Sequence, residues 1–550
     1  MRGFVIGFLF LAACGGGDDG PTGMATITVT HYDFAIDLTS HAAQAKVTAT
    51  VTAAGNCYTL PVRAQLDTTT VTVDGEAPKS GALANGAITA CGASHDVGDT
   101  VVIAGNTTIA LATLETSQVG FSVTNDADGN PFTYLVSWVN GCDQFSPCDA
   151  RPDQFATYTF DVTHDAGLTV RCPGTIAEPS ATETTCDFEF AGGPTYSTFG
   201  IAAYPTSAWP MTDEGMWGDV HVTLYDRTDT DITAAVDPAY HDGFIRWMES
   251  EFGPFPFGTE LRLLTAPTYW DGFEHPGNIV LDDGLAHENS PYADVVAHTI
   301  DHEMAHQWAG DQTTLADTYD FAWKESMAEY LAFVYEDMND HASALKTAQT
   351  WKADSAAVLY YPVPDDHPAL FDYYADVYGA GPQILFRQLE VRSSRAQVLA
   401  ALQDVLGSQR ALSMDTLTAA LEQHTGLDLT NYWATWLHGT GKPVWPKVRA
   451  TFADGMLHVT QTNAGAASRT CMFHVALNGG TGETLSVAVD LAAGQDQMIA
   501  AAPTFAVATV KVDPESECIV YVDNSTAREG PRANPWRSAR GAAMDAASSN

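Results

Sequence analysis

The stretch "TIDHEMAHQWAGDQ", Thr299 to Gln312, constrains this chain more than any other. It contains the pattern H-E-x-x-H as His302, Glu303 and His306. On a helix, positions i and i+4 share a face, so both imidazoles can turn toward one ion. Glu303 sits about 100° round the helix and can reach a water beside that ion rather than the ion itself. The pattern alone also fits a helix that merely carries two histidines, so a third ligand is needed. Downstream, "DFAWKESMAEYLAFVYED" reads as a helix with an apolar stripe of Trp323, Met327, Tyr330, Leu331 and Val334. Glu325 follows His306 with eighteen residues between, enough for the chain to turn and lay this helix beside the first. Glu329, one turn beyond Glu325, suits a carboxylate that orients a histidine; its alternative is an exposed helix carboxylate. Zinc is satisfied by three protein ligands, so His298 reads as helix surface or as support behind them. Ser290 and Pro291 supply an N-cap and a first helical residue for the His302 helix.

The rest of the chain sets the surroundings. There are 25 basic and 68 acidic residues, a net charge of -43. Phosphate binding needs a basic face, so nucleic acid is excluded as a partner. At the N-terminus, Arg2 precedes an apolar run, Phe4 to Ala13, too short to cross a bilayer and suited to a signal-peptide core. The run ends in Leu11-Ala12-Ala13-Cys14, which resembles a bacterial lipobox; cleavage before Cys14 and acylation of that residue are expected. The alternative is a plain secretory signal with a chance cysteine. Export follows in either case; the lipoprotein reading places the chain in the cell envelope, periplasmic or surface-facing, with the membrane reached only through the lipid. Setting Cys14 aside leaves Cys57, Cys91, Cys142, Cys148, Cys172, Cys186, Cys471 and Cys518, an even set that suggests disulfides in an oxidising compartment. Pairing neighbours in sequence would join Cys57 to Cys91, Cys142 to Cys148 and Cys172 to Cys186. Cys471 and Cys518 would pair with each other if the C-terminal region is a separate domain.

At 550 residues, several domains are expected. The fold class reads as multidomain α+β. Residues 1–25 are assigned to the lipoprotein signal and a Gly/Asp-rich tether. Residues 26–222 alternate Thr and Val and end in turn signals, an antiparallel β-sandwich-like domain. Residues 223–445 change to helical periodicity, a mostly helical zinc domain. Residues 446–525 return to short strands, a small β-sandwich. Residues 526–550, rich in Arg, Gly, Pro, Ala and Ser, are assigned to a disordered tail.

With these motifs in view, the sequence resembles the gluzincin aminopeptidases, the family of aminopeptidase N and the leukotriene hydrolases. Their zinc signature is H-E-x-x-H, eighteen residues, then E. "HEMAHQWAG" is similar to the family's H-E-x-x-H-Q-W-x-G, and "WKESMAEYL" to its W-x-N-E-G-x-A-E-Y. "SPCDARPDQF" resembles its P-C-x-D-E-P segment. "VYGAGPQILFRQLE" resembles the stretch with the catalytic tyrosine, here Tyr378. "NYWATWLHGTGKPVWP" resembles the end of the catalytic domain. The family's G-x-M-E-N motif, which holds the substrate's amino group, corresponds to "DGFEHPG": Glu274 is kept, while Asp271, Phe273 and His275 replace glycine, methionine and asparagine. In "SWVNGC", Asn140 stands at a family glutamine that helps hold the amino group, an ordinary turn asparagine being the alternative. Lys324 stands at a family asparagine beside a zinc ligand.

The resemblance implies a thermolysin-like catalytic domain and a zinc-dependent aminopeptidase acting on peptides. One Zn2+ would be held by His302, His306 and Glu325. Glu303 would be the general base, Tyr378 would stabilise the oxyanion, and Glu274 would fix the substrate N-terminus. The strand "NIVLDD" would pair with the peptide backbone. Many relatives carry a further large helical domain over the active site. Few residues follow the last expected strand here, so no such superdomain and a more open cleft are expected. The altered "DGFEHPG" keeps an endopeptidase or another hydrolase on the same scaffold as a rival. A non-catalytic surface binding protein is the rival from another class.

Overall fold

Alternation of small or branched apolar residues with polar ones makes the first strands. In Ala42–Ala53, Ala43, Ala45, Val47, Ala49 and Val51 are buried and their neighbours face outward, as the two-residue period of a strand requires. The computed structural model of the chain describes residues 21–112, 119–463 and 469–523. The Cys14 segment and the tail lie outside the described residues, except that the tether's last residues, from Pro21, are included.

The N-terminal region is built on a seven-stranded sheet. Its order is Thr175–Ser180, Glu183–Pro194, Phe155–Thr163, Thr26–Asp37, Ala42–Ala53, Thr100–Thr108 and Gln65–Val73. One central pair departs from the antiparallel expectation. Thr26–Asp37 runs parallel to Phe155–Thr163, which the long excursion of chain between them permits. Smaller sheets of four and three strands accompany it. The disulfides are Cys57–Cys91, Cys142–Cys148, Cys172–Cys186 and Cys471–Cys518.

A sheet runs across the division expected at 222. Met211–Trp217 and Val220–Tyr225 form a hairpin that continues into Glu260–Ala266, Asn278–Asp282 and Gly272–Phe273 as one five-stranded sheet. The hairpin thus shares a sheet with strands of the helical region. Asn278–Asp282 is bonded on both sides, to Glu260–Ala266 and to Gly272–Phe273. Its backbone groups are spent, so the strand open to an added peptide is Gly272–Phe273 at the edge.

Helix Val295–His306 lies behind this edge and contacts helix Phe321–Asn339. It opens at Asp294, whose side chain accepts from Ala297 N at 3.1 Å, not at Ser290. The preceding turn instead buries Tyr292, whose ring stacks on His298 at 4.0 Å. Helix Phe321–Asn339 is buried from Phe321 through Glu336 on every face, more than a stripe. It packs against helices His341–Ser355 and Leu370–Pro382. The C-terminal region holds a four-stranded and a three-stranded sheet.

Candidate metal centre

Two helices deliver three donors to one point. His302 Nε2 and His306 Nε2 are 3.0 Å apart. Glu325 Oε2 lies 3.2 Å from the latter and 3.4 Å from the former. A tetrahedral zinc with ligands at ~2.0–2.2 Å separates its donor atoms by about 3.3 Å, so the triangle fits that ion. His306 Nδ1 donates to the carbonyl of Ala309 at 3.0 Å, which leaves Nε2 with a free lone pair. Burial, and then the charge of Lys324, hold the His306 pKa below its ordinary value. Burial opposes a proton on His302, yet Glu325 and Glu329 raise its pKa to about 10.

The carboxylate behind His302 is Glu329, buried and far from the exposed alternative. Its Oε1 lies 3.2 Å from His302 Nδ1, and its Oε2 accepts from Trp351 Nε1 at 2.6 Å. His298 stands behind it, 3.3 Å from Glu329 Oε2 and 2.7 Å from Glu336 Oε1. Burial works against its charge, but His298 and His302 hold the Glu329 carboxyl well below the usual carboxylate range.

Glu303 turns toward the edge strand. Its Oε2 is buried and has no hydrogen-bond partner among the described residues. Burial pushes its carboxyl up, and the Glu274 and Glu325 charges add to this against His302 and Lys324. A carboxylate so poised is ready to take a proton. Glu303 fits only because Gly272 has no side chain, since a Cβ there would lie 2.3 Å from Glu303 Oε1. Tyr378 is half-buried, with its ring 5.9 Å from that of His302. Burial, followed by the Glu325 and Glu303 charges, raises its hydroxyl well above the ordinary value, so the phenol keeps its hydrogen.

Glu274 is buried beside the same centre, in the segment that leaves the edge strand. Gln307 pins that segment. Its Nε2 donates to Glu274 O and its Oε1 accepts from Gly277 N, each at 2.8 Å. His275 fastens it to the N-terminal region through Tyr134 Oη and the Ser197 carbonyl, 2.5 Å each. Gly200 leaves room for this imidazole; a Cβ there would meet the ring at 2.2 Å. Asn140 is exposed, and its Nδ2 donates to Thr318 Oγ1 at 3.0 Å, a turn contact rather than one with Glu274.

Sequence reasoning left Lys324 without a role. Its Nζ lies 2.7 Å from Glu274 Oε1 and 2.6 Å from Glu325 Oε1. Burial opposes its charge, but the two carboxylates raise its pKa far above the ordinary value. Gly272, His275 and Gln307 were also missed as positioning residues. The only signal for them was their place inside the quoted motifs, since their partners lie on other elements.

Residues 243–436 match the family model described as the Peptidase family M1 domain. Glutamyl aminopeptidase of Bos taurus is 23% identical over 340 residues, which cover 57% of this chain and 34% of the relative. The chain thus spans about a third of the length of that curated relative. Among solved structures, an M1 zinc metallopeptidase from Deinococcus radiodurans, in a mutant form bound to a Tyr-Ser-Ala substrate, superposes with a TM-score of 0.62 at 20% identity. That match covers 76% of this chain and 95% of the other. A further structure described as an M1 zinc metallopeptidase from Deinococcus radiodurans gives 0.61 at 19% identity, over 76% of this chain and 95% of the other. These likenesses establish a shared M1 metallopeptidase-like fold.

Proposed function

We propose, from the match of residues 243–436 to the Peptidase family M1 domain, that the chain is a zinc-dependent aminopeptidase, removing the first residue of peptides. The observation that carries this reading is a pair of buried carboxylates beside one three-donor set. Glu303 has an unpartnered oxygen and a raised pKa. Glu274 is held at the end of the edge strand by Gln307 and His275.

One zinc ion on His302, His306 and Glu325 would supply a Lewis acid for a water and for the scissile carbonyl. Glu303 takes the attacking water's proton on Oε2 and returns it to the leaving amine nitrogen. The Tyr378 hydroxyl donates to the developing oxyanion. The substrate backbone adds to the edge strand Gly272–Phe273. The substrate's ammonium end meets the Glu274 carboxylate, so the first peptide bond is the one that reaches Glu303.

Mass spectrometry of a peptide digest tests this. The peptide should lose single residues from a free N-terminus, its acetylated twin should stay whole, and Glu303→Gln should stop the loss by ~10²–10⁴-fold. Internal cuts, or trimming that survives Glu303→Gln, would refute the reading. The cell-envelope lipoprotein expectation is part of the proposal and rests on the sequence from Arg2 to Cys14. Labelled fatty acid should enter the intact chain and not Cys14→Ser.

A further inference from the structure

We propose that Lys324 is a resident competitor for Glu274, a specificity-determining residue that weakens the hold on the amino group of both substrate and product. The inference rests on the aminopeptidase reading and deepens it. In that reading Glu274 serves as an acceptor for an incoming ammonium. In this chain an ammonium is already there: Lys324 Nζ stands 2.7 Å from Glu274 Oε1.

The arrangement is built rather than incidental. Lys324 is 2% exposed, on the buried helix Phe321–Asn339, next in sequence to Glu325. Its Nζ lies 5.6 Å from the centre of the Tyr196 ring and 5.5 Å from that of Phe321, within the reach of cation–π attraction. Its second carboxylate contact is Glu325 Oε1 at 2.6 Å. Glu325 Oε2, the other oxygen, faces the two histidines. One lysine thus ties the acceptor of the amino group to a member of the donor set. Room for its stem comes from Gly310, whose φ is +153° and where a Cβ would stand 3.1 Å from Lys324 Cε.

A carboxylate with an unpaired charge in a buried site binds an ammonium strongly, because little else offsets its lost hydration. Glu274 has that offset already. An incoming amino group must share the carboxylate with Lys324 or displace it, and the two cations repel at short range. The affinity for a charged N-terminus drops accordingly, and so does that for the free amino acid released by the reaction. Turnover then suffers less from a product that stays on Glu274.

The test is a binding measurement on the full chain with Glu303→Gln to stop turnover. Leucinamide and N-acetyl-leucinamide are titrated calorimetrically into this protein and into Lys324→Asn and Lys324→Met forms of it, with zinc content measured in each. Removing the lysine charge should tighten leucinamide by at least ~tenfold and leave the acetylated compound within about twofold. Unchanged or weaker leucinamide binding in the variants would overturn the proposal. So would an equal gain for both compounds, which assigns the effect to space instead of charge. Lys324→Asn keeps a polar group at the position should Lys324→Met fold poorly. The peptidase reading fails separately, by lack of peptide trimming in the chain with Lys324 and Glu303 intact.

Discussion

Gly272 and Glu303 approach so closely that a methyl group on the glycine would lie 2.3 Å from the carboxylate oxygen Oε1. The glycine of the edge strand is thus what lets Glu303, the proposed base, stand against that strand. Gly272→Ala must push Glu303 aside or bend the strand. A displacement of about 1 Å at a reacting group costs on the order of 10²-fold in rate. Peptide hydrolysis should fall by about that factor while metal content stays at the wild-type level. Activity within threefold of wild type would show that the base has room to move.

Glu329 is expected to act on the metal through His302 alone. Its oxygens meet His302, His298 and Trp351 but none of the other donors. Such outer partners of a ligating histidine are typically worth 10–100-fold in metal affinity. Glu329→Gln keeps an acceptor for the Trp351 indole and loses the charge behind the imidazole. Competition against a chelator should show zinc held ~10–100-fold more weakly, with the fold intact by circular dichroism. An unaltered zinc affinity would mean that the helix alone orients His302.

How much of this was legible in the sequence depended on how locally each feature is encoded. His302 and His306 lie one turn apart on one helix, so their shared face follows from helix period alone. Glu325 required only that two successive helices lie side by side. Lys324 is different: its meaning comes from Glu274, which arrives from a strand far earlier in the chain. Asn140 was drawn toward the site by alignment; its backbone is left-handed, φ 60°, and its side chain donates to Thr318. Strand order is likewise invisible to periodicity. "NIVLDD" reads the same as an edge strand or an interior one, and only the return of Gly272–Phe273 along it decides the matter. The His302 helix starts after Asp294 rather than at Ser290, with Tyr292 buried in the turn between.

The helix bearing Tyr378 is held against the Glu325 helix by a second glycine. A Cβ on Gly381 would lie 1.9 Å from Ser326 Oγ. Gly381→Ala should separate the two helices and destabilise the protein by about 1–3 kcal/mol. Ser326→Ala removes the atom that would clash, so the double variant should recover part of the loss in a thermal melt. No recovery would place the strain elsewhere along the helix pair.

Asp354 gives the stability a pH dependence whose direction can be worked out. It is 9% exposed at the end of helix His341–Ser355. Burial, and then the charge of Glu329, raise its carboxyl from 3.8 to about 7. The folded chain therefore keeps a proton that the unfolded chain releases above about pH 4. Between about pH 4 and 7 the unfolded state gains from ionisation and the folded state does not, so this residue costs stability progressively across that window and by a constant amount above it. An asparagine does not titrate. Asp354→Asn should match wild type near pH 4 and exceed it by roughly 2 kcal/mol at pH 8 in urea unfolding. The comparison between the two chains cancels every other titrating group. A difference that stays flat from pH 4 to 8, or that shrinks as pH rises, would show that the Asp354 carboxylate finds a compensating partner on ionisation.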